Sequence, residues 1–142
     1  MATFDDWGLS FDYPDDWTLD VQPDAREPSV MLQTPGSGFV MVTVISDRPT
    51  PTHVLDTAQT AFEEEYADCE VELPDASLAG VEAEARDIDF TCHDLVTTAR
   101  MRAAEVGGRT LFLLAQRPDI EADEADEAFA AMEASVTLRE AD

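Results

Sequence analysis

A chain of 142 residues falls in the usual range of one domain, and at that size folding hides roughly two-thirds of the unfolded surface, so a core can form without a disulfide or a metal. Its 32 acidic residues face 8 basic ones, all of them arginine, and the formal net charge is −24. That sign argues against free nucleic acid and anionic membranes as partners, since both are held through lysine and arginine.

So much charge on a small body repels itself at low ionic strength, whereas in molar salt the Debye length falls to about 3 Å and the repulsion is screened. The carboxylates run from Asp5 to Asp142 and are interleaved with apolar residues, so the acidity belongs to a folded surface and not to a disordered tail. The composition is that of a protein from a salt-rich cell, a halophile. The first residues, MATFDDWGLS, show neither a basic region nor an apolar run, and no stretch approaches the ~18 apolar residues of a membrane span, so a cytoplasmic protein is expected.

In chain order, Leu9, Phe11 and Tyr13 alternate with Ser10 and Asp12, and beyond the turn signal Pro14-Asp15-Asp16 come Trp17, Leu19 and Val21. These read as a pair of strands. A polar loop over residues 22–28 leads to a strand over 29–34, and Pro35-Gly36-Ser37-Gly38 breaks the chain before residues 39–45. That run is apolar on both parities apart from Thr43, the mark of a mid-sheet strand covered on both faces. Thr50 and Pro51 suit the N-cap and first turn of a helix carrying Val54, Leu55, Ala58, Ala61, Phe62 and Tyr66 at helical spacing.

After Val71 and Leu73 a turn at Pro74 and Asp75 precedes a long extended stretch over residues 81–92. Its apolar parity switches from Val81, Ala83 and Ala85 to Ile88, Phe90 and Cys92, which predicts a bulge or bend near Arg86 and Asp87. Residues 95–106 and 109–116 read as two strands joined by a tight turn at Gly107-Gly108. A final helix over 121–134 carries Ala122, Ala125, Phe129 and Met132 on a narrow apolar stripe that Val136 continues. Strands joined by tight hairpins are antiparallel, so the expected class is α+β, an antiparallel sheet covered by helices. No boundary, repeat or linker interrupts residues 1–142, which read as a single domain.

Cys92, His93 and Asp94 set a thiol, an imidazole and a carboxylate side by side, and a histidine can activate a thiol as a nucleophile. Consecutive strand residues point to opposite faces, so Cys92 and His93 meet only if the chain turns there. Cys69 and Cys92 read as small buried thiols, with a bridge between them left open. A zinc site would have to bring His53 and His93 together with carboxylates or a thiol. Asp87 with Asp89, and Glu82 with Glu84, share a strand face that either binds a hard cation or is a solvated acidic surface, and the second is the reading taken. No nucleotide-binding glycine loop or GxSxG elbow occurs, and no metal or cofactor is expected. Phe4, Trp7 and Trp17 either line a partner groove or fill a core edge.

Arg100 and Arg102 are the local excess of positive charge, two residues apart and therefore on one strand face. They either grip a small anion or an acidic protein partner, or pair with carboxylates of neighbouring strands. As binding residues they are the candidate site.

The segment GLSFDYPDDW at residues 8–17, together with the late strand pair, the last helix and Ser135-Val136, resembles the PsbP-like superfamily. The resemblance implies an α/β/α sandwich around an antiparallel sheet. It transfers no catalytic residue, because members of that group such as a photosystem II extrinsic subunit and a Ran-binding nucleotide-release factor are binding or assembly factors. The chain shows no secretion, lipid-attachment or photosynthetic targeting signal, which argues against a photosystem role. The expected function is a non-catalytic binding or assembly module of a halophilic cytoplasm. The alternative is a small thiol-dependent enzyme or hydrolase using Cys92 with His93 or His53, and a third reading is a structural subunit of a larger complex.

Overall fold

The computed structural model describes residues 1–22 and 27–139; the polar loop expected over 22–28 falls, at 23–26, outside the described residues. The elements are β1 (Ala2–Asp6), β2 (Leu9–Tyr13), β3 (Thr18–Gln22), β4 (Ser29–Gln33), β5 (Phe39–Ile45), α1 (Pro51–Glu65), β6 (Glu70–Glu72), β7 (Ala76–Leu78), β8 (Val81–Cys92), β9 (Leu95–Val106), β10 (Arg109–Pro118), α2 (Ala122–Ser135) and β11 (Thr137–Leu138). Strands pair antiparallel in a large sheet of order β3-β4-β5-β10-β9-β8-β6, with β7 appended to β8, and in a small sheet of order β1-β2-β11.

The large sheet is covered on both faces, which explains the two strands that are apolar on both parities. On one face α1 lays Leu55 against Ile88, Phe90, Ala99, Met101, Ala103 and Phe112. On the other, α2 and the small sheet bring Phe129, Met132, Phe4, Leu9 and Phe11 onto Val30, Leu32, Val40, Val42, Val44, Leu111 and Leu113. Val42 and Leu111 are fully shielded, and burying a side chain of that size stabilises by roughly 1.5–3 kcal/mol. The structure therefore has the expected α+β architecture, with an antiparallel sheet as its middle layer.

Local signals place the ends of the elements. Thr50 accepts a hydrogen bond from the His53 backbone N–H (3.1 Å), which caps α1, and Pro51 opens it. Gly107 and Gly108 sit at φ 58° and 77°, the left-handed conformation that a two-residue hairpin turn requires. The equivalent turn between β8 and β9 is made without glycine, by His93 (φ 51°) and Asp94 (φ 64°).

Two sequence expectations are corrected. Leu9–Tyr13 and Thr18–Gln22 do not pair: β2 lies between β1 and β11, whereas β3 pairs with β4. The Pro14 to Trp17 turn, closed by Trp17 N–H to Pro14 O (3.1 Å), carries the chain from one sheet to the other, and Phe11 of β2 and Trp17 of the turn face the same core. There is also no bulge at Arg86 and Asp87, since β8 and β9 stay in one unbroken register from Glu84↔Ala103 to Cys92↔Leu95. The parity switch has another cause: the two halves of one regular strand bury opposite faces. Ala83 packs on the α2 side, while Ile88 and Phe90 lie under α1. Between them Glu84 and Arg86 face the polar flank of α1, Glu84 accepting from Thr52 and Arg86 pairing with Asp56 (2.7 Å) and Gln59 (2.9 Å).

Candidate functional site

Even-numbered residues of β9 face α2, and this places Arg100 and Arg102 in the layer between helix and sheet. Arg100 pairs with Glu133 of α2 (2.9 Å), and Arg102 pairs with Asp87 of β8 (2.8 Å) while also donating to the Met101 carbonyl (3.0 Å). Their side chains are 19% and 5% exposed. The layer continues through Arg117, which grips both carboxylate oxygens of Asp126 on α2 (2.8 and 2.9 Å), and through Thr98, which donates to Asp89 (2.6 Å). Thus α2 is fastened to β9 and β10 by two guanidinium-carboxylate contacts.

This layer is not fully satisfied. Arg100 Nε, Arg102 Nε and Glu133 Oε1 are sealed from solvent and have no hydrogen-bond partner. Burial pushes the Glu133 carboxyl above its ordinary value, against the opposing pull of Arg100 and Arg102.

A second feature lies at the other end of α2. A cleft of about 370 Å³ opens between the Pro14 to Trp17 turn, the hairpin connection between β4 and β5, and the first turns of α2. Pro14, Trp17, Pro35, Ala125 and Ala128 give it an apolar floor, and Asp16, Glu121 and Glu124 stand on its rim. Trp17 is 8% exposed and packs edge-on against Phe129, with ring centroids 5.9 Å apart. Its indole N–H finds no acceptor among the described residues, yet it is not one of the polar atoms sealed from solvent.

The wall of the cleft is held by Glu121, whose carboxylate accepts from the Ser37 N–H (3.0 Å) and the Ser37 hydroxyl (2.7 Å). Burial would raise this carboxyl, but the hydrogen bonds from Ser37 and Gly38 outweigh burial and hold it below its ordinary value. A Cβ at position 36 would overlap the Glu121 carboxylate, which would have to shift to make room for it. The PDDW and TPGSG segments look like ordinary turn signals, and nothing local in the sequence indicates that they face each other. The partnering of Ser37 with Glu121 across 84 positions has no sequence signature.

The other chemistry-bearing residues stay apart. The chain does turn at His93, but His93 is exposed in that turn while Cys92 points under α1, with its Sγ 3.7 Å from the Tyr66 hydroxyl. No hydrogen bond joins Cys92 to either histidine among the described residues. Both cysteines are free and half-buried, and burial first, then Glu63 and Asp68, push the Cys69 thiol up. Among the described residues no three His, Cys, Asp or Glu side chains converge as a metal site. No described helix is long and apolar enough to cross a membrane.

Compared by sequence with protein families and with curated proteins, the chain matches none. Its fold is similar to the solution structure of cyanobacterial PsbP (CyanoP) from Synechocystis, with a TM-score of 0.67 at 15% identity over 96% of this chain and 91% of that one. A crystal structure from Bacteroides thetaiotaomicron gives a TM-score of 0.64 at 11% identity over 94% of this chain and 46% of that longer one. LpqN from Mycobacterium tuberculosis, involved in cell envelope biogenesis, gives 0.54 at 16% identity over 92% of this chain and 83% of that one. At such identities the likeness is one of fold, and the fold is PsbP-like.

Proposed function

We propose that this chain is a single-domain, non-catalytic binding or assembly module of a salt-rich cytoplasm that engages another protein on its α2 side. The observation that carries this reading is how the charges are distributed. Every described arginine except Arg48 is held in an intramolecular ion pair or hydrogen bond. Arg86, Arg100, Arg102 and Arg117 are thus turned inward against carboxylates, most other carboxylates face outward, and the surface suits a medium that screens them. In this reading Arg100 and Arg102 act as a latch under α2, since both are already paired and the helix covers them. The thiol-dependent alternative would need Cys92 within reach of an imidazole, and its Sγ instead meets Tyr66.

The test is to recover the tagged chain from its own cells at about 3 M KCl, where surface charges are screened, and to weigh it by light scattering. A stoichiometric complex with a second protein is expected. A chain recovered alone, with an ester-hydrolysing activity that Cys92→Ser abolishes, would contradict the module and favour the enzyme.

A further inference from the structure

We infer that the cleft beneath α2 takes an extended, arginine-bearing segment of a partner protein, which rests on the module reading and names its site. The floor of Pro14, Trp17, Pro35, Ala125 and Ala128 offers apolar contact in a volume of about 370 Å³, room for a side chain and a short length of backbone but not for a folded element. Trp17, more than nine-tenths buried as a residue, lines that floor, and its indole N–H has no acceptor among the described residues and is not sealed from solvent. An N–H that keeps access to solvent is free to donate to an acceptor that enters the cleft. A backbone carbonyl of an extended segment supplies one, as in aromatic-lined grooves that read extended peptides.

The rim selects the side chain. Glu121 is occupied by Ser37, but Asp16 on one bank and Glu124 on the other are exposed and have no partner among the described residues. Two open carboxylates above an apolar floor reject an anion and fit a cation whose stem is apolar. Arginine fits better than lysine because molar salt screens the attraction of a point charge. Directional hydrogen bonds from a planar, weakly hydrated guanidinium persist, and so does its stacking on an aromatic ring. The chain's own carboxylates exclude most of its own surface from the cleft. Arg48, exposed at φ 54°, is the arginine without a partner among the described residues and so the side chain through which a second copy would enter first.

The probe is a blocked pentapeptide, Ala-Pro-Arg-Pro-Ala, titrated into the intact chain at about 3 M KCl while the two indole N–H resonances are followed by NMR. Trp7→Phe assigns them. The expected result is a saturable downfield shift at Trp17 only, with the lysine counterpart binding at least about tenfold more weakly. Asp16→Asn with Glu124→Gln, both exposed and outside the core, should weaken the arginine peptide about tenfold or more. The charge-matched pair Glu64→Gln with Glu127→Gln should leave it unchanged. An unmoved Trp17 resonance, equal binding of the lysine peptide, or equal weakening in the control pair would overturn the inference. So would concentration-dependent self-association abolished by Arg48→Gln, since the occupant would then be a second copy. If the tagged Asp16→Asn/Glu124→Gln chain still brings its partner out of the lysate, the module stands and the cleft is not its site.

Discussion

Replacing Arg100 by methionine separates a latch from a recognition site, because methionine keeps the packed stem and removes the charge. The substitution leaves the Glu133 carboxyl, 12% exposed, without its 2.9 Å partner and leaves Oε1 still unsatisfied. Breaking a fully buried pair costs about 3–5 kcal/mol, and the residual exposure of both groups brings this to roughly 2–3 kcal/mol at neutral pH. For a chain of this size that is a fall in melting temperature of about 4–12 °C. The cost must also depend on pH. The Glu133 carboxyl already lies above its ordinary value in the folded chain, so its stability contribution is complete below the unfolded value and is lost as pH rises through the folded one. Without Arg100 the folded value rises further, the loss at neutral pH grows, and at acid pH, with Glu133 neutral in both states, the gap between variant and wild type narrows. Urea melts of wild type, Arg100→Met and Arg100→Met/Glu133→Leu across this range measure the effect. The double variant should recover most of the loss, since it removes both orphaned atoms together. A gap that is constant with pH, or a double variant no more stable than the single one, would refute the latch.

Gly36→Ala should displace the Glu121 carboxylate and free Ser37, lowering stability by about 1 kcal/mol through the lost hydrogen bonds and broadening the amide resonances of residues 35–38 in NMR spectra. Because the Glu121 carboxyl is held below its ordinary value, its contribution to stability is present above the unfolded value and lost as pH falls through the folded one; Glu121→Gln should flatten that part of the stability profile. Iodoacetamide at neutral pH should label Cys69 slowly, since burial raises its thiol and lowers the thiolate fraction, and a burst of modification there would contradict its placement. Thr50→Ala should cost about 1 kcal/mol in urea melts by removing the cap of α1.

Much of the fold is legible because its signals are local. Thr50-Pro51 and Gly107-Gly108 announce a helix start and a tight turn by their own conformational preferences, and the two doubly apolar strands announce cover on both faces. Pairing of distant segments is not legible. The turn at Pro14 looks like a hairpin, but β2 finds its second partner in β11, at the far end of the chain. The switch of parity in β8 looks like a bulge because a period-two pattern cannot report which layer covers each half of a strand. For the site the same limit applies more strongly. Arg100 and Arg102 stand out in sequence as charge, yet Glu133 reaches Arg100 only through the packing of α2, and Arg102 meets Asp87 only through the register of β8 and β9. Trp17, Pro35 and Glu124 carry no shared signal, and the cleft exists because three separate elements converge there.

The proposed match of an outward-facing acidic surface to a salt-rich medium is tested most directly by thermal melts of the unmodified chain at about 0.1 M and about 3 M KCl. With a net charge of −24, self-repulsion unscreened at the lower concentration should lower the melting temperature, with a continuous rise as salt is added. Sodium sulfate and KCl compared at equal ionic strength separate screening from salting-out, because screening follows ionic strength whereas sulfate also strengthens apolar burial. A melting temperature that rises with KCl over the whole range is the result expected. Equal melting temperatures at the two KCl concentrations would contradict the account.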